Sequence, residues 1–155
     1  MPIRLFESSD APALAALFHA AVHRLAARDY TPHQRGAWSP AAPDPARYLA
    51  RAADGRRLLV AVDDDDTPLA YGDLERDGHI DHFYCHPDHA GTGLTIALYD
   101  ALERIARDEA IAMLYVEASE PARRFFLRRG FVEEARRDFD IAGVPIHNYR
   151  MTKNL

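Results

Sequence analysis

The stretch HIDHFYCHPDHAGTG, from His79 to Gly93, concentrates four of the eight histidines, the only cysteine and two aspartates of this chain. Two chemistries suit such a segment: a metal centre, or a strand and glycine turn that present backbone amides to a phosphate. The metal reading meets a geometric objection. In an extended strand successive side chains point to opposite faces and rise about 3.3 Å per residue. His79, Asp81, Phe83 and Cys85 then share one face, and Ile80, His82, Tyr84 and His86 the other. His82 and His86 fall on one face but about 13 Å apart, too far for two ligands each about 2 Å from one zinc ion. His86, Asp88 and His89 converge around the turn at Pro87, with no fourth ligand to complete a site. No metal is expected.

The phosphate reading rests on the glycine turn after the strand. Gly91 and Gly93 lack Cβ atoms, so the backbone can approach a ligand closely and adopt positive φ. The amides of Thr92, Gly93, Leu94 and Thr95 are the orphan donors of a helix start, where the helix dipole also favours an anion. A lone GxG is equally the mark of a tight turn before a helix. No GK[ST] is present after it, which excludes a Walker loop, and the third glycine and downstream acidic strand end of a dinucleotide fingerprint are missing. Cys85 reads as a buried, inert thiol rather than a nucleophile. No Ser-His-Asp or Cys-His constellation is evident.

The elements that must position these residues can be read from periodicity. Ile3 to Phe6 forms a short strand. Asp10 caps a helix with Pro12 in its first turn and Leu14, Leu17, Phe18, Ala21, Val22 and Leu25 at helical spacing. Thr31 to Pro45, broken by Gly36 and several prolines, reads as a loop. A second helix covers Ala46 to Ala53. Arg57 to Val62 and Leu69 to Glu75 pair as strands across the acidic turn Asp63 to Asp66. His79 to Cys85 makes a fourth strand, and a helix runs from Leu94 to about Glu109. Met113 to Glu117 is a strand, Pro121 opens a helix ending at Gly130, and Phe131 to Ile141 and Val144 to Met151 form a final hairpin. The order β-α-α-β-β-β-α-β-α-β-β describes a mixed sheet with a crossover helix after the fourth strand.

At 155 residues with 48% hydrophobic and 28% charged content, the chain suits one domain, residues 1–155. Nineteen basic against 24 acidic residues leave a net charge of −5, which argues against a nucleic-acid surface. One cysteine and the lack of a signal-like apolar start or an apolar run of membrane length make the cytoplasm the expected compartment, with no membrane partner.

FYCHPDHAGTGLTIALYDALE, with LYVEASEPARRFFLRRGFVE further along the chain, resembles the GNAT superfamily of acetyl-CoA-dependent N-acetyltransferases. DYTPHQRGAW and HNYRM resemble a bacterial YafP-like branch. The resemblance implies an α/β (α+β) GNAT fold, with a mixed, mostly antiparallel sheet of about seven strands flanked by about four helices. It implies acetyl-CoA as cosubstrate and direct attack by a primary amine of a small-molecule or peptide acceptor, by a monomer or homodimer. Coenzyme contacts are implied for Phe83, Tyr84, Cys85, Ala90, Gly91, Thr92, Gly93, Leu94, Thr95 and Phe126. Two departures stand out. Ala90 occupies the usual Gln/Arg position of the loop and Thr95 its final Gly/Ala. Phe126 stands where many members carry the tyrosine proposed to protonate the leaving thiolate, so that role passes to Tyr149, Tyr84 or water. Glu117 matches an acidic residue used as base in some members. Asp81 and His82, on opposite strand faces, are the other candidate bases. Tyr30, Trp38, Phe139 and Tyr149 are candidates to line the acceptor pocket. Two rival readings are a coenzyme A-binding module without transfer activity and a histidine metalloprotein.

Overall fold

The computed structural model describes residues 2–155. Strand β1 (Ile3–Leu5) leads through a 3-10 turn into helix α1 (Ala11–Ala20), which continues as a wider π-type turn over Ala21–Leu25. Helices α2 (Pro32–Trp38) and α3 (Ala46–Ala52) precede β2 (Arg57–Val62), β3 (Pro68–Leu74) and β4 (Phe83–Cys85). Helix α4 (Leu94–Asp108), β5 (Met113–Ala118), α5 (Glu120–Arg128), β6 (Val132–Ile141) and β7 (Val144–Asn154) complete the chain. Among the described residues seven strands are present as expected, but in two antiparallel sheets, β1-β2-β3-β4 and β5-β7-β6.

β2 and β3 are apolar on both faces because both are covered. Leu59, Ala61 and Ala70 face the core that also holds Leu98 and Leu102 of α4 and Phe126 of α5. Leu58, Val60 and Tyr71 face the opposite way, onto Leu14 and Leu17 of α1 and Tyr48 of α3. Helix α4 buries Leu94, Leu98, Leu102 and Ala106 along one stripe, the spacing its sequence predicts.

Two expectations are corrected. Thr31 to Pro45 is not all loop. The Thr31 side chain accepts a hydrogen bond from the Gln34 amide at 3.1 Å, and the Gln34 side chain accepts one from the Thr31 amide at 2.9 Å. This capping box, with Pro32 in the first turn, starts a helix despite the surrounding prolines. The fourth strand is also shorter than His79 to Cys85, and its faces do not alternate as an unbroken strand would. Ile80 packs in the same core as Cys85 and Phe83, while His82 sits among the rings of Phe18, Tyr48, Tyr71 and Tyr84.

The cause is Asp73, fully buried on β3. Its Oδ1 accepts the amides of both Asp81 and His82 at 2.9 Å, so one carboxylate opposes two residues where a regular ladder would oppose one. Arg51 and Arg56 hold its other oxygen at 2.7 and 2.9 Å. The acidic turn forms as expected, with Asp63 accepting the amides of Asp65 and Thr67.

Candidate active site

The two sheets meet along a single short backbone seam. His79 and Tyr115 form a parallel bridge, with the Ile80 amide donating to Tyr115 at 3.0 Å and the Tyr115 amide to Gly78 at 3.1 Å. Gly78 makes the approach possible. Its φ is +98°, and a Cβ there would lie 2.1 Å from the Met113 carbonyl oxygen. Beyond the seam the strands part. Phe83, Tyr84 and Cys85 register with Gly72, Tyr71 and Ala70 of β3, and Val116, Glu117 and Ala118 with Met151, Arg150 and Tyr149 of β7.

The His82 carbonyl and the His86 amide both bond to β3. By antiparallel alternation, the N–H and C=O of Phe83 and Cys85 between them point into the gap. A cavity fills this gap. Ile80, Asp81, Phe83 and Tyr84 line one wall, Val116 to Ser119 the other, with Ala122 and Phe126 of α5. Tyr30, Trp38, Phe139, Ile141, Ile146, His147 and Asn148 complete its lining. Three of the four residues expected around an acceptor, Tyr30, Trp38 and Phe139, therefore line this cavity. Tyr149 is not among the cavity's lining residues; its hydroxyl donates to Glu120 at 2.7 Å, a bond that raises its pKa.

Glu117 is one of the cavity's two carboxylates. It accepts a hydrogen bond from His79 Nε2 at 2.5 Å, which holds its pKa below the ordinary glutamate value. Burial alone would lower the pKa of His79, but the bond to Glu117 and the charges of Glu117, Asp81 and Glu75 outweigh it and raise it to about 9. Asp81 reaches the same cavity already neutralised, with Arg51 at 2.6 Å and Arg56 at 3.3 Å. Burial pushes its carboxyl up, and Arg51 more than reverses that. His82 lies across the strand from this cavity, in a groove with Phe18, Tyr48 and Arg51. Its Nδ1 meets the Tyr71 hydroxyl at 3.0 Å, and burial, aided by Arg51, lowers its pKa to about 4. At neutral pH Glu117 is thus an ionised carboxylate and His82 a neutral imidazole.

Phe126 is 2% exposed and its ring lies 5.5 Å from that of Phe83, an apolar floor with no proton to give. Burial raises the Cys85 thiol to about 11, which leaves it protonated and unreactive. The Tyr84 hydroxyl is likewise raised by burial.

Downstream of β4 the chain turns through Pro87–His89 into the glycine loop. Gly91 and Gly93 have φ of +77° and +84°, and a Cβ at either would meet nothing within 4 Å. Conformation rather than crowding therefore selects glycine there. The Thr92 hydroxyl donates to the His89 carbonyl at 2.7 Å, and the ladder of α4 begins with the Ala97 amide donating to Gly93. The amides of Leu94, Thr95 and Ile96 precede that first bond and are free to meet an anion. Ala90, Gly91, Thr92 and Gly93 are exposed, so the cradle is open to solvent. Among the described residues no group of three His, Cys, Asp or Glu side chains is arranged to hold a metal ion, and no helix is long and apolar enough to cross a membrane.

Sequence reasoning missed His79 as a partner of Glu117, 38 residues away, and Asp73 as the residue that breaks β4. Neither carries a local signal.

Residues 26–153 match the family model described as acetyltransferase (GNAT) domain. Among solved structures, the chain is similar to a GCN5-related N-acetyltransferase of Rhodopseudomonas palustris, with 37% identity, a TM-score of 0.91, and 99% of this chain and 95% of that one covered. It also shares its fold with the PaiA N-acetyltransferase of Thermoplasma acidophilum in complex with coenzyme A (16% identity, TM-score 0.80, 99% and 98% covered). A ribosomal-protein-alanine N-acetyltransferase of Brucella melitensis has the same fold (22% identity, TM-score 0.76, both chains fully covered at 100%). No curated protein matches the sequence.

Proposed function

The chain belongs to the acetyltransferase (GNAT) domain family, and from that premise we propose that it moves an acetyl group from acetyl-CoA to a primary amine of a small molecule or peptide, by direct attack in a ternary complex. The observation that carries this reading is the gap between β4 and β5, with Glu117 on its wall and the glycine loop at the start of α4 leading from β4. We further read the chain as a single-domain cytoplasmic enzyme of the YafP-like branch. Tyr30, Trp38, His147 and Asn148, from the two segments that carry that resemblance, line the cavity.

The amides of Thr92 to Thr95 would hold the pyrophosphate, and the Phe83 and Cys85 backbone would pair with pantetheine. A backbone N–H at this edge would meet the thioester oxygen as it gains charge. An alkylamine with pKa near 10.4 is mostly ammonium at neutral pH. Glu117 takes its proton, directly or through water. The amine nitrogen then bonds to the acetyl carbon, the carbon–sulfur bond breaks, and the thiolate leaves. A thiol of ordinary pKa near 8.5 needs no strong acid to depart, so water can supply the proton that Phe126 lacks.

The first experiment is a melt of the protein with acetyl-CoA, coenzyme A and NAD in parallel, then an amine panel scored by thiol release. Ligand at a hundredfold over its dissociation constant adds about 2.7 kcal/mol, roughly 5 to 10 °C at this size. A shift with the two coenzyme A species alone, and thiol release that depends on an amine and falls roughly 10² to 10⁴-fold in Glu117→Gln, are expected. No shift at millimolar acetyl-CoA refutes the reading. A shift without any amine-dependent release favours a coenzyme A-binding module instead, the reading that Phe126 motivates.

A further inference from the structure

Glu117 does not stand alone on its strand. His79 Nε2 bonds its carboxylate at 2.5 Å, and His79 Nδ1 lies 3.1 Å from Glu75 Oε1, just past the end of β3. The imidazole is fixed from its face as well, because the Tyr115 ring stacks on it at 4.6 Å with 7° between the planes. Its backbone amide donates to Asp77 at 3.1 Å. The imidazole is thus the middle member of a carboxylate–imidazole–carboxylate row that starts on the cavity wall and ends at Glu75, which is one-third exposed.

We infer that His79 is the positioning residue for the base Glu117, its other ring nitrogen held by Glu75. The inference rests on the transferase reading with Glu117 as base. The balance is simple. The amine gives a proton to Glu117, which passes it to solvent water; His79 keeps both ring protons throughout, with Nε2–H on Glu117 and Nδ1–H on Glu75. Glu117 returns to its starting charge with no other reactant.

The charged groups around the imidazole suit this role. Glu117 faces it from β5 and Glu75 from the end of β3, while Asp81 and Asp77 belong to its own segment. Two cations meet this acidic set from the far side: Arg51, 2.6 Å from Asp81, and Arg56, 3.6 Å from Glu75 and 3.3 Å from Asp81. Arg150 lies over the outer Tyr115 ring at 4.8 Å. Negative groups therefore dominate, which keeps the imidazole charged and its hydrogen bond aimed at Glu117.

The test combines side-chain NMR titration with the pH profile of thiol release, using the fastest amine of the panel. In the wild type the His79 imidazole should titrate near 9, and its midpoint should fall by at least one pH unit in Glu117→Gln and by less in Glu75→Gln. The Glu117 carboxyl should titrate below an ordinary glutamate and rise above it in His79→Gln. The acid limb of the kcat profile should then move up by a unit or more, with kcat down at least tenfold and the acetyl-CoA melting shift kept. Glu75→Gln, which touches neither the cavity nor Glu117, should lower kcat without changing KM for acetyl-CoA. A His79 titration near 6.5 that ignores Glu117, or superimposable pH profiles, overturns the inference while leaving the transferase reading intact. Loss of the acetyl-CoA shift in the wild type sinks the reading itself.

Discussion

Gly78→Ala probes the seam on which the cavity depends. The new Cβ would sit 2.1 Å from the Met113 carbonyl oxygen and 3.1 Å from Ile111 Cγ2. Carbon and oxygen cannot approach so closely, and the blocking atom is backbone, so β5 must move by about an ångström. A positive φ of +98° adds left-handed strain of about 1 to 2 kcal/mol, and overpacking about 1 to 3 kcal/mol. If the shift also breaks the bonds Ile80 N to Tyr115 O and Tyr115 N to Gly78 O, each adds about 1 kcal/mol. With both bonds lost the total is about 4 to 7 kcal/mol, and at roughly 2 to 4 °C per kcal/mol for this size the Tm should fall by about 8 °C or more. Gly91→Ala is the control, because its Cβ meets nothing and only the strain of about 1 to 2 kcal/mol remains. Melting curves of both variants, with and without acetyl-CoA, read the outcome. Gly78→Ala should melt well below Gly91→Ala and bind acetyl-CoA more weakly than wild type. A Gly78→Ala protein melting within 3 °C of wild type (about 1 kcal/mol), or level with Gly91→Ala, would show that the seam is not rigid.

Buried charge sets two further outcomes. Asp73→Asn keeps an oxygen for the Asp81 and His82 amides but strips the charge facing Arg51 and Arg56; urea unfolding should show a loss of about 3 to 5 kcal/mol. Stability should also peak near pH 6.5, by linkage. His79, raised to about 9, stabilises the fold below the unfolded value near 6.5 and loses that contribution as pH climbs to 9. His82, lowered to about 4, stabilises above 6.5 and loses its contribution as pH falls toward 4. His79→Gln should flatten the alkaline side of a Tm-against-pH curve.

The parts of the site that repeat along the chain were legible in the sequence. Helix α4 and its loop announced themselves through Gly91, Gly93 and the spacing of Leu94, Leu98 and Leu102, all local signals. So did the acidic turn and the final hairpin. Helix α2 was legible too, since Thr31, Pro32 and Gln34 spell a capping box, but the prolines nearby outweighed it. The break in β4 was not legible, because it is made by a carboxylate on another strand. The pairing of His79 with Glu117 has the same character, and so has the bond that takes the Tyr149 hydroxyl to Glu120. Long-range side-chain chemistry leaves no period in a sequence.

The single backbone seam between the two sheets has a consequence for how the molecule melts. Side chains of both halves share one core, but across most of the gap no strand hydrogen-bonds to another. A pantetheine arm, which carries amide groups of its own, would stand where the missing ladder should be. In mechanical terms the cosubstrate would act as a splint laid across a split beam. Amides on both sides of the gap should then exchange with solvent as separate units in the empty protein and as one unit in the loaded protein. The enzyme's stiffness would rise and fall with each turnover.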